Sequence, residues 1–307
     1  MNTGKSFLMN MLMDDPDFFK VRGGRNERCT VGADISRCMP ASTFWGVAAS
    51  GLPHVAFVDA EGQGELGPDY DTTLLTPLGL LSKAIILNFK GSPTKHDMLV
   101  KLGLLTQAAE RIVREPTAAS GDPASRGKLF GHLHIVVRDD YSDKADVERI
   151  ILHPEEGEGN ELACRNTIRQ LLHHSFKSIN VHILPPPIKN TKLLVKGLFT
   201  QADVTHEFKE EVNKLKVMLV SQMQQPRVLM GRPPSGNVIV HLMRDIAKGL
   251  NEGSSKILPG SAFERIEAED VKSAVSAILA LFEGATTAML VAQLPLLPAE
   301  LKQKLQE

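Results

Sequence analysis

A chain of 307 residues with 42% hydrophobic and 23% charged residues has the composition of an ordinary globular protein, long enough for one large domain or a domain with a smaller appendage. A formal net charge of -1 offers no general polyanion-binding surface, which argues against nucleic acid as a partner. Cys29, Cys38 and Cys164 are too few and too scattered for a disulfide framework or a complete zinc site, and no basic-then-apolar leader opens the chain, so a cytoplasmic protein with reduced thiols is expected.

Taken in chain order, Phe7 to Leu12 reads as the opening of a helix. Asp14 to Met39 is polar, glycine-bearing and irregular, an excursion of the kind that often carries function. Phe44 to Val47 reads as a short strand, and His54 to Val58 as a clearer one ending in Asp59. A glycine-rich loop follows, in which Pro68 with Asp69-Tyr70-Asp71 reads as a poor helix opening. Lys83 to Asn88 is an apolar strand, and Met98 to Arg114 has helical periodicity through Leu99, Leu102, Leu105, Ala109, Ile112 and Val113. After a Pro/Gly/Ser loop, Leu133 to Val137 is a strand running directly into Arg138-Asp139.

Asn160 to Phe176 reads as a helix, and Ile179 to Leu184 as a strand stopped by Pro185-Pro186-Pro187. Asp203 to Gln224 is strongly amphipathic, with Phe208, Val212, Leu215 and Leu219 as its core stripe. Val238 to Leu250 and about Glu267 to Phe282 are further helices, the second behind a capping box at Ser261-x-x-Glu264. Ala274 to Pro298 is long enough to span a bilayer, but Glu283-Gly284, Pro295 and Pro298 interrupt it, and a buried helical hairpin is expected there. Strands alternating with helices through the first two-thirds predict an α/β domain with a mostly parallel sheet, followed by a helical segment.

The chemistry is concentrated at strand ends and at the start of the chain. Asn2-Thr3-Gly4-Lys5-Ser6 reads as the second half of a P-loop, G-x-x-x-x-G-K-[ST]. Gly4 allows close backbone approach to phosphates, Lys5 contacts the β/γ-phosphates and Ser6 ligates Mg²⁺, at a helix N-terminus whose dipole favours anions. Asp59, at the end of an apolar strand, is placed to hold the same Mg²⁺, and Gly62 follows at the spacing of an Asp-x-x-Gly switch, its N–H able to sense the γ-phosphate. Gly62-Gln63-Gly64-Glu65-Leu66-Gly67 also matches the dinucleotide fingerprint, but Asp59 and Glu61 place negative charge beside it and Leu87-Asn88 stand where an acid is expected. Asp139 is the candidate base reader, a carboxylate able to accept both N1–H and N2–H₂ of guanine. Arg244-Asp245, mid-helix, reads as a solvated pair, His173-His174 as surface histidines and the charges from Glu207 to Lys216 as a solvated helix face.

Together these residues resemble the guanylate-binding-protein and atlastin type of large, dynamin-related GTPase. The similarity runs through Thr3 to Asn10, Cys29-Thr30-Val31, Asp59-Ala60-Glu61-Gly62, Val137-Arg138-Asp139 and Leu184-Pro185-Pro186-Pro187, and Ser235 to Leu250 is similar to the segment before that family's helical region. The resemblance implies a three-layer P-loop GTPase domain over 1–250 and a helical linker or start of a stalk over 251–307. It also implies GTP and Mg²⁺ binding, GTP hydrolysis and pairing of two copies through their GTPase domains. Asn2, Thr3, Gly4, Lys5, Ser6, Asp59, Gly62, Arg138 and Asp139 would contact the nucleotide or its metal. Peripheral membrane association would belong to parts outside this chain.

Three departures qualify that expectation. Asn2 stands where the family carries an arginine finger in cis, a group worth factors of ~10³–10⁵ in rate. A nucleotide-binding interaction module with little catalysis is therefore the alternative. Thr30, Ser36 and Thr43 are all candidates for the switch hydroxyl, and spacing from Asp59 favours Ser36. The chain also starts inside the motif, so a truncated fragment is expected, with the first strand and the first half of the P-loop upstream.

Overall fold

A computed structural model of the chain describes residues 4–19, 32–46, 52, 54–61, 67–91, 94–110, 112, 128–189, 201–229, 233–252, 259–293 and 302. The first helix, α1 (Lys5–Met13), is followed by β1 (Ala33–Ile35), β2 (Met39–Pro40), α2 (Ala41–Trp45), β3 (His54–Val55) and β4 (Val58–Ala60). Here β1 pairs antiparallel with β4, and β2 with β3. Next come α3 (Pro68–Leu81), β5 (Ala84–Lys90), α4 (Lys95–Glu110), β6 (Phe130–Arg138), α5 (Lys144–Leu152), α6 (Asn160–Ser175) and β7 (Phe176–Leu184). These carry the main parallel sheet, in the order β5-β6-β7. The remaining helices are α7 (His206–Gln222), α8 (Gly236–Asn251) and α9 (Pro259–Gln293).

Alternation along the strands makes three layers. On one face Phe89, Leu133, Ile135, Val137 and Val181 pack under the helices of the α3, α4 and α6 side. On the other, Val136 and Leu184 meet Leu8 and Leu12 of α1 and the Phe208, Val212, Leu215 and Leu219 stripe of α7. β6 is buried along its whole length, as the middle strand of a covered parallel sheet should be. A third cluster joins Met13, Phe19, Ala41, Phe44 and Trp45, where the end of α1 meets α2. The two-sided core fixes the register, because a one-residue slip would exchange the faces of every side chain.

Several expectations are corrected. Phe44-Trp45 lies in helix α2 rather than a strand, since Ala41, Phe44 and Trp45 share a helical face and Trp45 Nε1 donates to Leu12 C=O at 3.0 Å. The strand expected over His54 to Val58 is split: β3 pairs with β2, and Asp59 sits within β4 opposite Asp34. Pro68 opens α3 directly, because proline suits the first helical position and Asp69 and Asp71 suit its dipole. Helix α5 was not foreseen; Asp143 caps it by accepting the Ala145 N–H at 2.7 Å. The expected buried hairpin is instead one continuous helix, α9, along which Val271, Ile278, Leu281 and Phe282 are exposed. No helix among the described residues is long and apolar enough to cross a membrane. Asp245 is not merely solvated but pairs with Arg265, tying α8 to α9.

Candidate nucleotide site

Gly4 caps α1 with φ 66°, a left-handed conformation that strains any L side chain. One turn of helix then sets Ser6 and Asn10 on the buried side. Ser6 Oγ donates to Asp59 Oδ2 at 2.6 Å, the short length of a charge-assisted bond, and Asp59 is only 3% exposed. Asn10 fixes the chain behind α1: its Nδ2 donates to Pro16 and Phe19 carbonyls at 2.6 and 2.8 Å, and its Oδ1 accepts the Phe19 N–H at 2.8 Å.

The end of β6 arrives from the other side. Arg138 shares the strand face of Val136 and is buried. Its guanidinium lies against Gly4, so that a Cβ there would fall 2.7 Å from Nη1 and 2.8 Å from Nη2. Burial draws its pKa below the ordinary arginine value, and the neighbouring charge of Asp139 acts in the opposite direction. Asp139 follows at φ 59°, a conformation uncommon outside glycine, and its Oδ1 is buried with no hydrogen-bond partner. The turn beyond is held by Asp140, whose Oδ1 accepts Ser142 N–H and Oγ–H at 2.8 and 2.7 Å.

The first turn of α1 is thus the meeting point, joined to β4 through Ser6–Asp59 and to β6 through Gly4–Arg138. This is the carboxyl end of the parallel sheet, where α/β folds present ligand-binding groups. Lys5 belongs to the same turn. Ser36 lies elsewhere on the β1–β4 ladder: its Oγ accepts the Phe57 N–H at 2.8 Å and donates to Arg37 C=O at 3.0 Å. Thr43 is exposed on α2. Asn2, Thr3, Thr30 and Gly62 lie outside the described residues.

One contributor had no role assigned from the sequence. Glu61 Oε2 accepts the Gly32 N–H and the Tyr70 hydroxyl, each at 3.0 Å, while the Glu61 N–H donates to Gly32 C=O at 2.7 Å. This carboxylate binds Gly32, just before β1, to the segment after Asp59 and to the first turn of α3. Its place in Asp-x-Glu-Gly was the available signal, but the spacing alone names no partner.

Among the described residues no group of three His, Cys, Asp or Glu side chains gathers as a metal site. The Ser6–Asp59 pair is instead a hydroxyl and a carboxylate, hard oxygen donors of the kind Mg²⁺ takes alongside substrate phosphates and water. The donor set fits that ion.

A three-layer α/β domain in which a Gly-Lys-Ser helix start meets a strand-borne aspartate defines the class of P-loop GTPase domains. The chain belongs to the guanylate-binding-protein family: the family model described as guanylate-binding protein, N-terminal domain, matches residues 1–227. Nucleotide binding and GTPase-type function follow from that membership. No curated protein matches the chain.

Proposed function

We propose that the chain binds GTP together with Mg²⁺ and hydrolyses it by in-line attack of water. The observation that carries this reading is the 2.6 Å bond between Ser6 and Asp59, which brings the hydroxyl of the phosphate-binding turn to the strand acid. Lys5 stabilises negative charge on the β/γ-phosphates, and the N-terminal end of α1 adds its dipole. Ser6 and Asp59 would hold Mg²⁺, which neutralises charge on the phosphate oxygens when bound. Gly62 reports the γ-phosphate through its N–H, and Asp139 selects guanine, its unpartnered Oδ1 being an acceptor held ready for the base. Asn2 and Thr3 complete the phosphate loop. In this reading 1–250 is the GTPase domain and 251–307 the start of a helical linker. The protein works in the cytoplasm, pairing two copies through their GTPase domains, with any peripheral membrane contact made by other parts.

A second reading, nucleotide binding with little turnover, is favoured by two observations. The Ser36 hydroxyl is already engaged by two backbone groups, and Asn2 offers no cationic charge. Affinity for GTP against ATP, with and without Mg²⁺, together with single-turnover hydrolysis, separates the two. GTP-selective, Mg²⁺-dependent binding with phosphate release supports hydrolysis; binding without release supports the second reading. Asp139→Ala is expected to lose the guanine preference, and an unchanged preference would remove Asp139 from its role.

A further inference from the structure

The amino end of the parallel sheet gathers cations from three segments. Lys83, just before β5, accepts the His132 N–H on its C=O at 2.9 Å. Lys177 lies at the start of β7, one residue before Ser178, which stands opposite His132 in the ladder with its Oγ 2.8 Å from His132 Nδ1. Arg227, in the turn after α7, reaches the same edge: its Nη2 donates to the C=O of Leu80, in the last turn of α3, at 2.9 Å, and to the C=O of Leu129. Lys83 Nζ donates to the C=O of Pro226, the residue before Arg227, at 3.3 Å. The dipole at the end of α3 accounts for one cation here, but not for two lysines beside it. Among the described residues none of the three cations has an acidic partner, and Arg227 Nε is buried with no hydrogen-bond partner. The charges reach one another. Burial first, then Lys177 and Arg227, lowers the Lys83 pKa, and burial, Lys83 and Lys177 draw that of His132 down to about 4. Like charges gathered without an anion oppose the compact state.

We propose that Lys83, Lys177 and Arg227 form a second anion site, for a phosphate group, at the end of the sheet opposite the nucleotide. His132 and Arg138 are six residues apart on β6, roughly 20 Å at the rise of a strand, so one anion does not serve both ends. Three cations from separate segments meeting at one edge suit a compact multivalent anion; an acidic peptide spreads its carboxylates along a chain. The arginine fork pairs phosphate oxygens and the lysines add point charges. Lys177 is exposed, which leaves the edge open to a ligand from solvent. The phosphate belongs to a free polyphosphate or to a phospholipid headgroup. The site stands independently of the GTP reading.

The test uses the full chain with excess GDP and Mg²⁺, so that the nucleotide site is filled. Inorganic pyrophosphate is the free probe, and phosphatidylcholine vesicles with and without a phosphatidylinositol phosphate are the lipid probe. Wild-type protein is expected to bind at least one of them, about 10-fold more weakly as Lys177→Ala and not at all as the Lys83→Ala/Lys177→Ala pair, with GTP affinity held within about threefold. Lys177→Glu takes the place of the pair if the pair does not fold. The bound anion should raise the His132 pKa from about 4, followed by NMR of its ring. Without ligand, Lys177→Ala should melt no lower than the wild type, because a like charge has gone. Pyrophosphate binding alone assigns a free polyphosphate, vesicle binding alone a headgroup, and binding of both a site for the phosphate group itself. No binding of either probe, binding that the lysine substitutions leave intact, an equal loss of GTP affinity, an unmoved His132 or a lower-melting Lys177→Ala would overturn the proposal. If GDP does not bind, lysine-dependent binding of the probes still supports this site, and the GTP reading falls alone.

Discussion

Arg169 and Arg138 are buried to nearly the same degree, at 1% and 4% exposure, and live in opposite surroundings. Arg169, on α6, donates from Nε to Ile151 C=O at 3.3 Å, from Nη1 to Asn166 Oδ1 at 2.9 Å, and from Nη2 to Ile150 C=O at 2.8 Å and Glu155 Oε1 at 2.6 Å. Glu155 in turn takes Arg165 through Nε and Nη2 at 3.1 and 3.0 Å and Lys95 at 2.5 Å. These cations, Arg165 foremost, hold its carboxyl far below the usual carboxylate range. The network ties α4, α5 and α6 to the loop between the last two. Arg138 has the same chemistry with far less of that completion: its Nε is buried without a partner, and the charge of Asp139 lies beside it. A charge the fold itself satisfies is part of the architecture; a charge it buries and leaves open marks where a ligand finishes the structure.

The contrast predicts opposite responses to truncation. Arg169→Met takes one of three cations from Glu155 and leaves two buried backbone carbonyls without its bonds, so it should cost about 2–5 kcal/mol of stability, read by urea unfolding. Its GTP affinity, measured under folding conditions, should stay within about threefold. A loss of nucleotide affinity without a loss of stability would break the contrast outright.

Asp59→Asn probes the open side of the comparison. If the Ser6–Asp59 pair is a metal platform, the variant should lose about 10- to 100-fold of the Mg²⁺-dependent gain in GTP affinity. The Mg²⁺-free affinity should change much less. A purely structural hydrogen bond predicts the reverse, with stability falling and the Mg²⁺ dependence intact. Gly4→Ala follows with a smaller, mixed effect. Its Cβ would meet the Arg138 guanidinium at 2.7 Å, and the left-handed backbone alone costs a non-glycine residue about 1–2 kcal/mol. Both melting point and GTP affinity should fall; a fall in neither would mean that the guanidinium swings aside freely.

How much of this was legible beforehand varies with the kind of signal. β6 and β7 were readable because Leu133, Ile135 and Val137, and Ile179, Val181 and Ile183, recur at strand spacing, and the α7 stripe because Phe208, Val212, Leu215 and Leu219 recur at helical spacing. Phe44-Trp45 misled because aromatic β-propensity is overridden where Phe18, Phe44, Trp45 and Phe57 meet edge to face. Helix α5 escaped because only Val147 and Ile151 are buried on it, too few to show a period. At the site, motif order pointed to Lys5, Ser6, Asp59 and Asp139. The Gly4–Arg138 contact was hidden, since alternation gives the face on which Arg138 leaves β6 but not the helix that covers that face. The same applies to Glu61 and Gly32, joined only when β1 and β4 pair.

The face that carries Arg138 also carries His132 and His134, and these sharpen the contrast at its mildest end. With Gln222 Oε1 facing His134 Nε2 at 2.8 Å, that nitrogen bears the proton, so His134 Nδ1 accepts from His182 Nε2–H at 3.0 Å. The chain of bonds joins β6, β7 and the last residue of α7, and it needs both rings neutral. Burial first, then the closeness of the His134 ring and of Lys144, draws the His182 pKa down to about 4; burial, Lys83 and Lys177 do the same for His132. A histidine depressed in the folded state binds fewer protons there than when unfolded. Stability is therefore full above the unfolded pKa near 6.5 and declines as pH falls toward 4, by about 1 kcal/mol per histidine between pH 6 and pH 5. Melting points across that range should slope downward toward acid, and His182→Gln should flatten the slope by one histidine's share. A variant with an undiminished slope would move the acid sensitivity to other groups. These buried bases resemble Arg169 in being answered by protein partners, His132 by Ser178 Oγ at 2.8 Å and His182 by His134. Nucleotide should accordingly raise the whole melting curve without altering its acid slope, since these histidines are already answered by protein partners.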